Sequence, residues 1–270
     1  MPRPFVRLAC IDVDGTLVGA GGVVHGRVWP ALEKARAAGV RLAVCSGRPG
    51  FGITRALASE IDPDGWHCFQ NGASIVHLGH GESRSATLPP ETVRMLIERA
   101  RRSRLPLELY SDDDYVTECD REIMRRHAGF LGIAFERRTF ESLHGPAVRA
   151  QWVLTHGEAP SVIAEPHPGL EVSPSLAPAM PDGVFVNLTR SGVTKGSAVS
   201  AVAAEYGVSL ADVMYVGDGL NDTPAMRIVG WPIAMANGEE VAHSAAWRVV
   251  GHVDEGGLAD ALELATDGER

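Results

Sequence analysis

Apolar residues fall along this chain in short blocks separated by polar, glycine-containing loops. Phe5 to Cys10 is one such block. It is bounded by Pro4 and followed by the segment Gly19 to Gly22, and it reads as a buried strand that runs into a loop. Val28 to Ala38 reads as a helix stopped by Gly39. Val40 to Val44 is a second strand, ending in Cys45-Ser46-Gly47-Arg48-Pro49. Strand, helix and strand at this spacing make a βαβ unit, which predicts a parallel sheet. Trp66 to Phe69 and Ala73 to Leu78 flank Asn71-Gly72 as the arms of a hairpin would.

The pattern changes near Gly79-His80-Gly81. Val93, Leu96, Ile97 and Ala100 recur with helical period behind Pro89-Pro90. Leu107 to Tyr110 and Tyr115 to Thr117 flank Ser111-Asp112-Asp113-Asp114, which suggests a hairpin with a solvated acidic tip. Arg99, Arg101, Arg102 and Arg104 read as the wet face of the preceding helix, partly paired with Glu98. A third helix is expected over 120–127. Strands are expected at 150–155 and 170–172 with a short helix near 161–165, and Pro and Gly are dense from Pro160 to Gly183. Residues 84–188 therefore read as an inserted α+β domain within a core made of 1–83 and 189–270.

The core pattern resumes at Val184 to Leu188. Lys195 then opens a helix with Val199, Val202, Ala203 and Tyr206 on one face, stopped by Gly207. Val213 to Val216 is a further buried strand. It leads into Gly217-Asp218-Gly219-Leu220-Asn221-Asp222-Thr223-Pro224, where Asp222 or Thr223 can cap the helix that Pro224 begins.

Chemistry collects where the strands give out. Asp12 and Asp14 follow the first strand, Ser46 the second and Asp218 a later one. In open parallel sheets ligands bind outside those carboxyl ends. Ionised carboxylates at the end of a buried strand need a metal ion or a cationic side chain nearby. Two residues of extended chain cover roughly 6–7 Å, about the span from a nucleophile to a leaving-group oxygen across phosphorus. Lys195 is one of two lysines in a chain that otherwise uses arginine. At a helix N-terminus an ammonium opposes the helix dipole, which suits a bound anion better than the helix itself.

Asp12-Val13-Asp14-Gly15-Thr16-Leu17 resembles the signature of the haloacid dehalogenase (HAD) superfamily. Ser46-Gly47-Arg48, Lys195-Gly196 opening a helix, and Gly217-Asp218 with Asn221-Asp222 resemble its later motifs, in the right order over most of the core. Ile233 to Gly238 and Asp254 to Leu258 are similar to closing segments of its Cof-like branch, although that branch often carries an Asn where this chain has His252-Val253. The resemblance implies a doubly wound, mainly parallel, Rossmann-like α/β core with an inserted α+β cap. It implies a Mg2+-dependent phosphatase in which Asp12 is the nucleophile that becomes an aspartyl-phosphate and Asp14 the general acid and base. Asp12, the Asp14 carbonyl and Asp218 would hold the metal, with Asp222 helping directly or by holding a ligand in place. Ser46, Gly47, Lys195 and Asn221 would bind the phosphoryl group, and Asn71, Gly72 and Arg48 would touch substrate. A small phosphorylated metabolite such as a sugar phosphate is the expected partner. A phosphomutase of the phosphomannomutase type and a non-catalytic phosphometabolite-binding regulator remain the alternatives.

Composition narrows the rest. Hydrophobic residues make up 45% of 270 residues, enough for a sizeable core. A net charge of −9 argues against general nucleic-acid binding. No apolar run reaches membrane-spanning length. Met1-Pro2-Arg3-Pro4 does not open a signal peptide. Four cysteines stand far apart with no CxxC pair, as reduced thiols in the cytoplasm would. Monomer and homodimer are both open.

Overall fold

The computed structural model describes residues 5–177 and 180–266, so Met1 to Pro4 lie outside the described residues. The chain divides into two compact units. One holds the residues up to Gly47, Leu57–Ser83 and those from Thr194 on; the other holds Arg48–Ala56 and Arg84–Val193. In chain order the first elements are β1 (Leu8–Ile11), α1 (Val28–Ala37), β2 (Arg41–Val44), α2 (Ile53–Ile61), β3 (Trp66–Phe69) and β4 (Ser74–His77). The second unit then supplies α3 (Pro90–Ser103), β5 (Leu107–Tyr110), β6 (Tyr115–Val116), α4 (Glu122–Leu131), β7 (Arg149–Thr155), α5 (Ala159–Ala164), β8 (Leu170–Ala177) and β9 (Met180–Arg190). The first unit resumes with α6 (Lys195–Glu205), β10 (Val213–Gly217), α7 (Thr223–Met226), β11 (Trp231–Met235), α8 (Glu240–Ala245), β12 (Arg248–Val250) and α9 (Gly257–Thr266).

Five strands of the first unit form a parallel sheet in the order β12-β11-β10-β1-β2. β1 explains its double covering. Ala9 and Ile11 enter one apolar cluster with Leu32 and Ala35 of α1 and Leu258 and Leu262 of α9. Leu8 and Cys10 enter another with Val199 and Val202 of α6 and Met226 of α7. A strand buried on both faces has no polar positions, which is why these strands read as continuous apolar blocks. The fold is the expected doubly wound α/β class with an α+β insertion.

The helix α2 is not among the expected elements. Its buried face, Thr54, Leu57, Ala58 and Ile61, keeps the helical period but carries only two large apolar residues, while the apolar Ile53 is 45% exposed. The expected hairpin is present, with Trp66↔His77 through Phe69↔Ser74 in antiparallel register. Asn71 (φ 56°, ψ 28°) and Gly72 (φ 97°) take the central turn positions, and Ala73 N donates to Gln70 O at 3.2 Å. Both residues have positive φ, as a primed hairpin turn requires.

The second unit carries an antiparallel sheet, β6-β5-β7-β9-β8. Leu96 and Ala100 of α3 and Val162 of α5 pack with Leu107, Trp152 and Val186. Glu108, Gln151 and Asn187 lie in register across three strands on the other face. The buried Glu108 carboxylate accepts from the Tyr110 hydroxyl, from His127 Nδ1 at 3.0 Å and from Gln151 Nε2 at 3.3 Å. β8 and β9 are longer than the sequence suggests. Pro174 and Gly183, from the stretch dense in Pro and Gly, lie inside them. Pro174 is tolerated because β8 is an edge strand. The expected hairpin is present, with Ser111 N bonded to Asp114 O at 2.9 Å, but its tip is not simply solvated: Arg138 holds the half-buried Asp114 at 2.7 Å, and Ser85 donates to Asp112 at 2.6 Å. The arginine face does not pair as expected. Arg99 meets Glu165 at 2.8 Å, and Arg101 meets Glu118 at 2.6 Å and Glu141 at 2.8 Å. Carboxylates from other elements present better-placed oxygens than Glu98 does on the same helix.

Candidate active site

β1 and β10 are neighbours in the sheet, and the chain leaves them toward opposite edges: β1 is followed outward by β2, and β10 by β11 and β12. Such a switch point leaves a crevice at the carboxyl ends of the strands. Asp12 follows β1 directly, and its N–H donates to Val216 O at 2.9 Å. Asp218 follows β10. Lys195 is the first residue of α6, whose N-cap Thr194 makes a capping box with Ser197.

These residues meet. The fully buried Lys195 ammonium donates to Asp12 Oδ1 at 2.6 Å and to Asp222 Oδ1 at 2.6 Å. The Tyr215 hydroxyl also donates to Asp222 Oδ1, at 2.6 Å. The other Asp222 oxygen accepts the backbone N–H groups of Asp218 at 2.9 Å and Gly219 at 2.8 Å. Asp222 therefore does not cap α7 with its side chain, although the sequence allows it. Thr16 Oγ1 donates to Asp218 Oδ1 at 3.4 Å. Gly15 has φ 79°, and a Cβ there would lie 2.1 Å from Asp218 Oδ2. Asn237 Nδ2 donates to Gly15 O at 2.7 Å, while its Oδ1 accepts from Val253 N at 2.9 Å.

Burial dominates the electrostatics. It pushes the Asp12 carboxyl well above the usual range, Asp222 adds to that, and Lys195 opposes it. Burial and then Asp222 push Asp218 up to about 7. Burial alone would lower the Lys195 ammonium, but Asp12 and Asp222 outweigh it and raise it. The ammonium thus bonds two of three carboxylates, Asp12, Asp218 and Asp222, which can each offer one oxygen within 4.8 Å of the others. Hard carboxylate oxygens with a shortage of positive charge are a donor set that could hold a metal ion.

A second group adjoins the first. Ser46 is buried, its N–H donates to Cys68 O at 2.9 Å, and its carbonyl accepts from Asn71 N at 3.0 Å. Asn221 Nδ2 donates to Asn71 Oδ1 at 3.0 Å, and a Cβ on Gly47 would lie 3.1 Å from that oxygen. A Cβ on Gly72 would lie 2.3 Å from Thr194 O, so only glycine lets the hairpin turn approach the start of α6. Asp14 is exposed and bridges to Val18. Arg48 belongs to the second unit, where its guanidinium sits 4.7 Å over the Phe130 ring. Thr16, Tyr215 and Asn237 are contributors that the sequence did not single out. Thr16 and Asn237 stand inside recognisable strings, but nothing marks Tyr215 beyond its place in a buried strand.

The sequence model of the haloacid dehalogenase-like hydrolase family matches residues 9–262. The chain belongs to the haloacid dehalogenase-like hydrolases. A 5-amino-6-(5-phospho-D-ribitylamino)uracil phosphatase, YwtE of Bacillus subtilis (strain 168), is 21% identical over 288 residues, 98% of this chain and 99% of its own. A haloacid dehalogenase-like hydrolase from Bacteroides thetaiotaomicron shares the fold at TM-score 0.84 with 26% identity, over 96% of this chain and 98% of that one. A HAD subclass IIB sugar phosphatase shares it at TM-score 0.80 with 22% identity, over 96% and 98%. Among the described residues of this haloacid dehalogenase-like hydrolase, no helix is long and apolar enough to cross a membrane.

Proposed function

We propose that this hydrolase is a Mg2+-dependent phosphatase of small phosphorylated metabolites such as sugar phosphates, acting through an aspartyl-phosphate on Asp12. The observation that carries the reading is the Lys195 ammonium shared between Asp12 and Asp222, with the Asp218 carboxylate in the same cluster. A carboxylate nucleophile and a phosphate dianion repel each other, so the site must supply positive charge before bond formation. Asp12, the Asp14 carbonyl and Asp218 would hold Mg2+, and Asp222 would steady them. Bound there, Mg2+ would neutralise charge on both the attacking carboxylate and the phosphoryl oxygens.

Asp12 attacks phosphorus with the oxygen that Lys195 does not hold. Asp14 donates a proton to the leaving alcohol, then takes one from the water that hydrolyses the intermediate. Lys195, Ser46, Gly47 and Asn221 bind phosphoryl oxygens, and Asn71, Gly72 and Arg48 are the proposed substrate contacts. Residues 84–188 are proposed as a cap domain that reads the part of the substrate beyond the phosphate. The phosphatase names of YwtE and of the subclass IIB neighbour support the reaction class.

The test is phosphate release from a panel of phosphorylated metabolites and an aryl phosphate, with Asp12→Asn beside the wild-type chain. Release to water by the wild type and loss in Asp12→Asn is the expected result. Transfer to a second hydroxyl with no free phosphate would mark a mutase, and turnover by Asp12→Asn would remove the nucleophile assignment.

A further inference from the structure

We infer that Tyr215 is a positioning residue of this site: its buried hydroxyl holds Asp222 in the orientation that presents Lys195 and fixes the Asp218 loop. The inference rests on the phosphatase reading above. β10 alternates between the two sides of the sheet, Met214 and Val216 toward one cluster and Val213 and Tyr215 toward the other. Tyr215 is fully buried, yet its hydroxyl reaches the end of the strand and donates to Asp222 Oδ1 at 2.6 Å. The same oxygen accepts from Lys195 at 2.6 Å, and the other accepts two backbone N–H groups, of Asp218 and Gly219. Four donors thus fill the Asp222 carboxylate. It is locked between the ammonium and the loop that carries Asp218. Burial and then Asp222 raise the Tyr215 phenol well above its usual range, so it stays a donor.

Without the phenol, Asp222 loses one of two restraints on Oδ1. Lys195 is shared between Asp12 and Asp222, so a looser Asp222 lets the ammonium settle on Asp12 and mask the nucleophile. The Asp218 backbone loosens with it, and the metal donor set loses its preorganisation.

Tyr215→Phe tests this, with Tyr206→Phe as the matched control. The Tyr206 hydroxyl accepts from Trp66 N at 2.8 Å in the same unit and touches none of the site residues. Mg2+ binding to the purified full chain is measured by calorimetry, and kcat and KM with an aryl phosphate. Tyr215→Phe is expected to weaken Mg2+ binding and lower kcat by about tenfold each, with KM within about twofold. Tyr206→Phe is expected to lower the Tm and leave all three unchanged. Wild-type Mg2+ affinity in Tyr215→Phe, or equal losses in both variants, would overturn the inference. If the wild-type chain binds Mg2+ but hydrolyses no phosphate ester, the phosphatase reading fails by itself. The Mg2+ comparison then still decides Tyr215, with equal affinities counting against it.

Discussion

The Lys195 ammonium donates to Asp12 Oδ1 at 2.6 Å across 183 residues of sequence separation. Both side chains are buried, and the same ammonium reaches Asp222 at the same distance. A lysine at a helix N-terminus is unfavourable by itself. Here two carboxylates stabilise it, and it in turn keeps them in the low-dielectric end of the sheet.

Lys195→Met should therefore cost more than catalysis. Removing one partner of a buried ion pair leaves uncompensated charge, worth about 3–5 kcal/mol. We expect a loss of that order in urea unfolding of the metal-free protein at neutral pH, with turnover abolished. A variant as stable as wild type would show that Asp12 and Asp222 do not depend on the ammonium.

Metal-free protein should become less stable as pH rises. Asp218 has its folded pKa raised from 3.8 to about 7. A raised carboxyl binds its proton more tightly when folded, so its stabilising contribution is full below pH ~4 and is lost as pH climbs through about 7. Midpoints of urea unfolding at pH 5 and pH 8 check this, and added Mg2+ should shrink the difference. A midpoint that rises from pH 5 to pH 8 would reverse the sign.

Chelation should stop turnover reversibly, with Mg2+ restoring it. Ca2+ should not, because its longer and more variable coordination suits in-line transfer less well. Full activity in chelator-treated protein would contradict the metal assignment.

Gly15→Ala should damage the site through one methyl group. Its Cβ would lie 2.1 Å from Asp218 Oδ2, on a backbone with φ 79°. We expect kcat/KM to fall by about tenfold or more and the half-saturating Mg2+ concentration to rise. Kinetics across a Mg2+ series measure both, and unchanged Mg2+ dependence would show that Asp218 yields freely.

Glu108→Gln should weaken the inserted unit. Tyr110, His127 and Gln151 all aim donors at that carboxylate, and an amide nitrogen would face at least one of them. A buried mismatch costs about 1–3 kcal/mol. Faster hydrogen exchange at amides of β5, β7 and α4, with the parallel sheet unchanged, is the expected pattern.

The sequence by itself determined the parallel sheet and the strand ends that carry Asp12, Ser46 and Asp218. Buried strands must be apolar throughout, so a polar residue at their ends stands out. It also determined the Asn71-Gly72 turn, since φ above zero selects those residue types. It did not determine α2, whose buried face is built in part from small or polar residues such as Thr54 and Ala58, or the length of β8, where an edge position excuses Pro174. Nor did it say what Asp222 does. Capping α7 was the local solution. Tertiary structure decided otherwise because Lys195, Tyr215 and two backbone N–H groups converge on that carboxylate. The N–H groups of Asp218 and Gly219 are local partners, four and three residues back, but the Lys195 ammonium comes from 27 residues away. Its arrival depends on sheet order and side-chain direction, which no local pattern of residues encodes.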